Sequence, residues 1–218
     1  MKIFLNERPV EFVQVVPEVS SAADMVIEFD SAEQLKSSWE EFQRYEKYRT
    51  MVVVDKGFLP GKSSVAFETF ISFFKFIPAA GGLVKNEKGE YLFIHRLGHW
   101  DLPKGKIEKK DSAVPDGSRD DSESARNAAI REVKEETGLK TIVVTGEILS
   151  TWHIYMAKER WILKRTRWFE MEADTGQALK PQASEGIFLV KWTNPSTIHC
   201  ILAHTYASIR ELLVNTLF

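Results

Sequence analysis

Cysteine is almost absent from this chain of 218 residues. The single cysteine, Cys200, has no partner within the chain, so no intramolecular disulfide can form and a reducing compartment is favoured. A lone cysteine of this kind is typically a small buried hydrophobic residue, and we expect Cys200 to be one. No stretch approaches the roughly 20 apolar residues of a membrane span, and the first twelve residues lack the apolar segment of a signal peptide. The sequence therefore predicts a cytoplasmic protein that does not enter a membrane.

An excess of charge of either sign is also missing. The chain has 29 lysines and arginines against 31 aspartates and glutamates, which gives a formal net charge of -2. Broad binding to nucleic acid needs a basic excess, so it is not expected here. Hydrophobic residues make up 44% and aromatic residues 11% of the chain, enough apolar surface for a globular core. At this length we expect one main domain and a smaller one.

The first 75 residues form the smaller region. Alternating apolar residues predict a hairpin, and apolar residues at three- and four-residue spacing predict helices. The expected elements are a hairpin at 3–16, a helix at 30–48, a strand at 51–54 and a helix at 63–74. The aromatic helices suggest a surface that packs on the rest of the protein, forms a lid, or joins two copies in a homodimer.

Residues 76–218 change to strands separated by turns, followed by helices. Apolar strands flank the turn at 86–89, which ends in glycine. Further strands are predicted at 142–149, 151–156, 166–171 and 188–192. A final helix at 195–213 carries a regular apolar stripe. The strands around the turn at 86–89 imply a meander.

Three carboxylates lie close together on one short helix. Good helix formers from Ala125 lead into Glu132, Glu135 and Glu136, and Gly138 is placed as a helix stop. The spacing puts the three glutamates on one face, where like charges repel each other. Such a face is either simply solvated or bound to cations, and magnesium prefers oxygen ligands of this kind.

A longer pattern surrounds these glutamates. Gly117 is followed after five residues by Glu123, which is followed after seven residues by Arg131 and the sequence Arg-Glu-Val-Lys-Glu-Glu-Thr-Gly-Leu. This pattern resembles the Nudix box position for position. The resemblance implies an α/β/α sandwich with a mixed sheet and a magnesium- or manganese-dependent hydrolase that splits phosphoanhydride bonds. It covers about residues 76 to 215.

The position of the box glycine departs from the family pattern. Family members usually place it in a run like Leu-Pro-Lys-Gly, and this chain has that run at Leu102 to Gly105, twelve residues before Gly117. We therefore expect an insertion between them, with Gly105 as the functional glycine and Gly117 in an exposed loop. The acidic, turn-forming stretch at 111–122 has almost no apolar anchor, and we expect it to be a mobile surface loop.

The resemblance implies roles for the box residues. Glu132, Glu135 and Glu136, with the carbonyl of Gly105, would bind the metal. Glu132 would also orient or deprotonate the attacking water, and Arg131 would hold the helix through an ion pair with Glu123. Family members often recruit an acid from a later loop, which makes Glu185 a second candidate base.

Cations near the box are candidates for binding substrate phosphates. Arg96, Lys104 and Lys106 flank the loop ahead of the box, and charged side chains of these types commonly bind phosphate. By resemblance, Tyr155 and Lys164 come from strands where family members place groups that contact substrate. The substrate implied is a small nucleotide.

The sequence alone leaves open which substrate the protein binds and whether it is catalytically active. The Leu-Pro-Lys-Gly run looks more like family members that act on dinucleoside polyphosphates, capped RNA ends or inositol pyrophosphates than like the ADP-ribose branch. The alternative is a Nudix-fold ligand sensor that has lost catalysis. Such regulators often have eroded glutamates and an added winged helix, whereas the three glutamates are intact in this sequence.

Overall fold

A computed structural model describes residues 1–17, 21–57, 64–108 and 121–218, with side chains from residue 125 onward in the last range. No helix within these ranges is long and apolar enough to cross a membrane. The chain divides into two compact units, Met1–Ile77 with Trp152–Lys164 and Pro78–Thr151 with Arg165–Phe218. A domain boundary between residues 75 and 76 remains a proposal. The loop expected at 111–122 lies largely outside the described residues, as does Gly117.

The first unit is a small sheet with two helices. Strands β1 and β2 form the predicted antiparallel hairpin, with Asn6 at a φ of 55° in its turn. Strands β2 and β3 both pair parallel with β4. The sequence did not predict β3, because only three apolar residues separate its terminal acids. The elements are β1 (Lys2–Leu5), β2 (Arg8–Val13), β3 (Asp24–Glu28), α1 (Ala32–Arg44), β4 (Thr50–Val54) and α2 (Val65–Ile71).

Helix α1 is shorter than the sequence predicts. Its start is capped by the Ser31 hydroxyl, which accepts the N–H of Gln34 at 3.2 Å. It was expected to continue to Tyr48, but Tyr45 already has extended backbone angles. The Arg8 guanidinium donates to the carbonyls of Phe42 at 2.9 Å and Tyr45 at 3.1 Å. The distant hairpin thus satisfies carbonyls at the helix end, which α1 would otherwise pair by continuing.

Aromatic rings form the core of the first unit. Trp39 of α1 is 3% exposed and lies edge-on to Phe70, Phe74 and Trp161, with ring centroids 5.3, 5.4 and 5.7 Å away. Edge-to-face pairs of this kind are favoured by the ring quadrupole beyond the gain from burial. Trp39 therefore joins both helices and the tip of the later hairpin into one core.

Replacement of Trp39 by alanine should lower the free energy of unfolding by about 3 to 5 kcal/mol, because it removes a buried ring and leaves a cavity. Urea denaturation followed by circular dichroism measures the change. Tyr45→Ala is the matched control, since that ring is 46% exposed, and it should cost at most about 0.5 kcal/mol. Equal losses in the two variants would contradict the assignment of Trp39 as the central core residue.

The second unit is a sheet between helical layers. Its strand order is β11-β6-β5-β10-β9, with β7 paired to β6 and β8 paired to β5. Helix α3 packs on one face through a fully buried Val133, and helices α4 and α5 pack on the other through residues such as Leu213. Strands β5, β9 and β10 run through both units. The elements are β5 (Lys75–Lys85), β6 (Tyr91–Arg96), β7 (His99–Asp101), β8 (Lys104–Lys106), α3 (Asp121–Thr137), β9 (Val143–Ala157), β10 (Arg160–Glu172), β11 (Ile187–Thr193), α4 (Ile198–Leu202) and α5 (Ala207–Leu217).

Three sequence expectations for this unit were wrong. The two strands predicted at 142–149 and 151–156 form one continuous strand, β9. The single helix predicted at 195–213 is broken between α4 and α5, because Thr205 leaves the helix to pair with Trp100 of β7. Cys200 of α4 is exposed rather than buried. The α/β/α arrangement itself is confirmed.

Candidate active site

Helix α3 ends where the sequence placed its glycine stop. Gly138 has a φ of 81°, and its N–H binds the carbonyl of Lys134 at 2.9 Å. A Cβ at this position would also come within 2.8 Å of Lys180. Ala125 and Val133 turn toward the core and are fully buried. The helix is thereby fixed in rotation about its axis, which sets the different exposures of its three glutamates.

The short strand β8 lies directly against the acidic part of α3. Gly105, in the middle of β8, pairs with Ala80 of β5. A Cβ added at Gly105 would lie 2.1 Å from Cδ of Glu132 and 2.2 Å from each of its carboxylate oxygens. Only glycine allows this approach of a carboxylate to the strand backbone. Gly105 therefore lies against α3, the helix that carries the Nudix-like pattern.

Glu136 is the most deeply buried of the three glutamates, with an exposure of 2%. Its Oε2 accepts the backbone N–H of Lys104 at 2.8 Å, and its Oε1 lies 3.4 Å from Nη1 of Arg96. Burial, together with the negative charge of Asp101, raises the pKa of Glu136 to about 7, although Lys104 and Arg96 act in the opposite direction. The ionised carboxylate is thus costly in the absence of an additional cation.

Glu132 and Glu135 share a different cation. Nη1 of Arg131 lies 2.8 Å from Oε1 of Glu132 and 3.0 Å from Oε2 of Glu135. The second terminal nitrogen of Arg131 donates to the carbonyl of Lys106 at 2.9 Å. Arg131 therefore ties α3 to β8 as well as bridging two carboxylates. The expected pair with Glu123 lies outside the described side chains.

Glu185 is brought to the same cluster from a distant loop. It ends a short 3-10 helix at Ala183–Glu185, and its carboxylate lies 3.8 Å from Nη2 of Arg96. The loop is joined to α3 because the N–H of Gln182 binds the carbonyl of Glu136 at 3.3 Å. Arg96 consequently lies between the Glu136 and Glu185 carboxylates, while Glu185 itself is 54% exposed in its side chain.

The remaining predicted cations differ in their surroundings. The Lys104 ammonium binds Oδ2 of Asp101, a carboxylate that is 2% exposed. Lys106 is exposed beside Gly105. Sequence reasoning missed Asp101, although its place just before the Leu-Pro-Lys-Gly run could have drawn attention to it. Asp101 is thus the carboxylate partner of Lys104. A phosphate that bound Lys104 would share the ammonium group with Asp101.

Two predicted substrate residues lie in the first unit. Tyr155 and Lys164 lie on the part of the β9–β10 hairpin that is assigned to the first unit. The Tyr155 ring stacks on His153, with centroids 5.3 Å apart. Their roles in substrate binding remain predictions.

The donor atoms of the cluster suit a hard divalent cation. Carboxylate oxygens and a backbone carbonyl are the ligand types that magnesium and manganese prefer. A positive group, the Arg131 guanidinium, already bridges Glu132 and Glu135, and a Cβ at Gly105 would fill the space beside Glu132. Among the described residues, no three acidic, histidine or cysteine side chains are gathered around one point as a ready metal centre. The ligand types therefore fit a divalent metal ion. In the described structure the same carboxylates are paired with Arg96 and Arg131.

Comparison with known proteins gives the family of this chain. The model of the NUDIX domain family matches residues 75–214. Solved structures with similar folds include an Ap4A hydrolase binary complex from C. elegans, at 22% identity over 63% of this chain and 93% of that one, with a TM-score of 0.45. A MutT protein from Methanosarcina mazei Go1 matches at 22% identity over 65% of this chain and 93% of that one, with a TM-score of 0.45. The E. coli ORF135 protein matches at 21% identity over 65% and 88%, with a TM-score of 0.41.

The chain belongs to the Nudix family, since the family model spans more than half of it. It is a Nudix hydrolase, an enzyme that acts on phosphoanhydride bonds. The box helix of the sequence pattern is α3, and the acidic cluster at its edge is the candidate active site.

Replacement of Gly105 by alanine should lower activity by at least about 100-fold and destabilise the protein by about 1 to 3 kcal/mol, because the new methyl group must displace Glu132. Steady-state kinetics and urea denaturation measure the two effects. Gly176→Ala is the control, since a Cβ there meets nothing within 4 Å. Full activity in Gly105→Ala together with an inactive, folded Gly117→Ala would reverse the choice of box glycine.

Replacement of Glu136 by glutamine should stabilise the metal-free protein at pH 8 by up to about 3 kcal/mol. The folded carboxyl titrates at a pKa of about 7 against an ordinary 4.5, so its contribution to stability is full below pH 4.5 and is lost as pH rises through 7. Glutamine removes this cost while its amide oxygen can still accept the N–H of Lys104. The advantage of the variant should shrink as pH falls from 8 to 5, as measured by urea denaturation with EDTA present. A difference that is independent of pH would contradict the raised pKa.

Proposed function

We propose that this protein is a magnesium- or manganese-dependent enzyme that cleaves a phosphoanhydride bond in a nucleoside diphosphate linked to another moiety. The leading candidate substrate is a dinucleoside polyphosphate. The observation that carries the proposal is the close approach of the Glu132 carboxylate to Gly105. In the same strand, the backbone N–H of Lys104 donates to Glu136. This contact joins the box helix to the Leu-Pro-Lys-Gly run that resembles family members acting on such substrates.

Metal binding is assigned to Glu132, Glu135 and Glu136 with the Gly105 carbonyl. A divalent cation bound by such oxygens polarises phosphoryl oxygens and lowers the pKa of a bound water. Arg131 holds two of these carboxylates in place through its ion pairs. Since the same guanidinium is their present partner, metal binding by Glu132 or Glu135 competes with Arg131.

Two acids are candidates for accepting the proton of the attacking water. The Glu132 side chain is 14% exposed and paired with Arg131, whereas that of Glu185 is 54% exposed and lies 3.8 Å from Arg96. The exposure of Glu185 favours it as the acceptor, because its carboxylate has direct access to water. Glu132 is then mainly a metal ligand and an orienting group.

Phosphate binding is assigned to Arg96, Lys104 and Lys106. Arg96 lies between two carboxylates, and Lys104 is held by Asp101, so both are fixed in position before substrate arrives. Charged groups that are already in place lose little entropy on binding, which favours tight and oriented binding of polyphosphate. Arginine and lysine at these positions complement the charge of a polyphosphate chain.

A substrate screen tests the proposal directly. Dinucleoside polyphosphates, nucleotide sugars, nucleoside triphosphates, capped RNA fragments and inositol pyrophosphates are incubated with the full chain and magnesium or manganese, and products are identified by mass. The expected result is cleavage of a dinucleoside polyphosphate into two nucleotides. Cleavage of a substrate without a nucleoside diphosphate, or of no substrate with either metal, would overturn the proposal.

Replacement of Glu135 by glutamine should lower kcat/KM by at least about 100-fold, because the amide keeps the size but loses the anionic ligand. The Glu135 side chain is 47% exposed, so the variant should fold normally. Kinetics with magnesium varied to saturation measure the effect, and EDTA should abolish wild-type activity.

Glu172→Gln is the matched control, an exposed glutamate on β10 of the same unit, and it should retain wild-type kinetics. Wild-type turnover by Glu135→Gln at saturating metal would remove Glu135 from the proposed metal site.

A further inference from the structure

The loop between β10 and β11 runs along the C-terminal end of α3, the helix that carries the box glutamates. The N–H of Lys180 binds the carbonyl of Thr137 at 2.8 Å, and the N–H of Gln182 binds that of Glu136 at 3.3 Å. The last carbonyls of a helix have no partner within the helix itself. The loop that carries Glu185 therefore supplies donors to the end of the helix that carries the proposed metal ligands.

Gln182 connects the backbone of Glu136 to that of Glu185. Its N–H binds the Glu136 carbonyl, and its own carbonyl accepts the N–H of Glu185 at 3.0 Å. The short 3-10 helix that ends in Glu185 starts directly after it. A shift of the loop along α3 would therefore move the Glu185 carboxylate relative to Glu136 and to Arg96, whose Nη2 lies 3.8 Å from it.

The side chain of Gln177 ties an earlier part of the loop to the segment between α3 and β9. Its Oε1 accepts the backbone N–H groups of Lys140 and Thr141, each at 2.8 Å, and its Nε2 donates to the carbonyl of Thr141 at 2.9 Å. One half-buried amide thus makes three hydrogen bonds to the backbone that directly follows the box helix. The loop partners of residues 136 to 141 run in reverse order, from Gln182 to Gln177, so the two segments lie side by side and antiparallel.

Thr175, two residues before Gln177, makes a different contact. Its N–H binds one carboxylate oxygen of Glu87 at 3.1 Å, and its hydroxyl donates to the other at 2.5 Å. Glu87 is exposed and lies in the turn between β5 and β6. This contact fixes the start of the loop to a turn of the sheet, whereas the contact of Gln177 fixes it to the end of α3. Gln177 is therefore the better candidate for setting the position of the loop relative to the box helix.

We propose that Gln177 is a positioning residue, which holds the loop against α3 so that the Glu185 carboxylate is in place to accept the proton of the attacking water. This inference rests on the proposed function, in which Glu185 is that acceptor. A positioned base contributes about 10²- to 10⁴-fold to a rate, and displacement by about 1 Å removes much of this gain. Gln177 acts through Glu185, so its loss should slow the chemical step and leave substrate binding nearly unchanged.

A double-mutant cycle tests whether Gln177 acts through Glu185. Kinetics are measured with a dinucleoside tetraphosphate and saturating magnesium. Gln177→Ala should lower kcat about tenfold and change KM less than about twofold, because the base is displaced while the phosphate-binding groups stay in place. In the Glu185→Gln background, which has already lost the base, the same substitution should lower kcat by less than about twofold.

Three results of this cycle would overturn the proposal. They are wild-type kcat in Gln177→Ala, an equal loss from Gln177→Ala in both backgrounds, and wild-type kcat in Glu185→Gln. If Gln177→Ala does not fold, Gln177→Glu takes its place in the cycle, because its carboxylate still accepts the two N–H groups and loses only the donor to Thr141.

Gln34→Ala is the matched control. The Gln34 side chain of α1 is also half-buried and binds two backbone groups, the N–H of Asp30 at 3.2 Å and the carbonyl of Glu28 at 2.9 Å. Its loss removes similar bonds from the first unit, so the urea midpoint should fall while kcat keeps its wild-type value. A tenfold loss of kcat in Gln34→Ala as well would reduce the effect of Gln177 to a general loss of stability and would count against the proposal.

Hydrogen exchange separates this inference from the proposed function. Exchange of the amides in residues 178–186 is followed by mass spectrometry on the full chain in EDTA, so neither metal nor substrate is needed. Gln177→Ala should speed their exchange about tenfold, because the loop then opens more often, and Gln34→Ala should leave it unchanged. Wild-type exchange in Gln177→Ala would reject the proposal. Faster exchange alongside failure of the substrate screen would reject the proposed hydrolysis and leave Gln177 standing as the anchor of the loop.

Discussion

The Glu136 carboxylate accepts the backbone N–H of Lys104 and lies beside Arg96 while only 2% of the residue is exposed. A carboxylate removed from water is costly unless donors and cations surround it, and those must come from elsewhere in the chain. Here they come from β6 and β8, and the loop before Glu185 binds the carbonyl of the same residue. Segments from three parts of the chain therefore meet at Glu136.

The cations of the site are already paired with acids of the chain. Arg96 faces Glu136 and Glu185, Arg131 faces Glu132 and Glu135, and Lys104 faces Asp101. Each pair limits the cost of concentrating charges of one sign, which would otherwise repel each other. Under the proposed function, the same groups would supply ligands for a divalent cation and positive charge for phosphates within one cluster.

The break between α4 and α5 reflects tertiary contacts rather than the local sequence pattern. A continuous helix over 195–213 would satisfy the apolar stripe equally well, yet Thr205 pairs with Trp100 and the chain turns at Tyr206. The turn places the Tyr206 ring beside that of His99, with ring centroids 4.8 Å apart. The C-terminal region thereby joins β7 as well as covering a sheet face.

The sequence by itself determined the family and the helix that carries the box. The spacing of Arg131, the glutamates and Gly138 is local, and it indicates both the shared face of the helix and the residue at which the helix ends. The choice of Gly105 as the glycine beside Glu132 was predictable only from the Leu-Pro-Lys-Gly run, and its contact with that carboxylate needed the pairing of β8 with β5. Tertiary structure alone decided that Glu136 is buried while Glu135 is exposed, although both share a helix face in sequence. It also brought Arg96 between Glu136 and Glu185, since contacts between distant segments depend on packing and leave no local periodic signal.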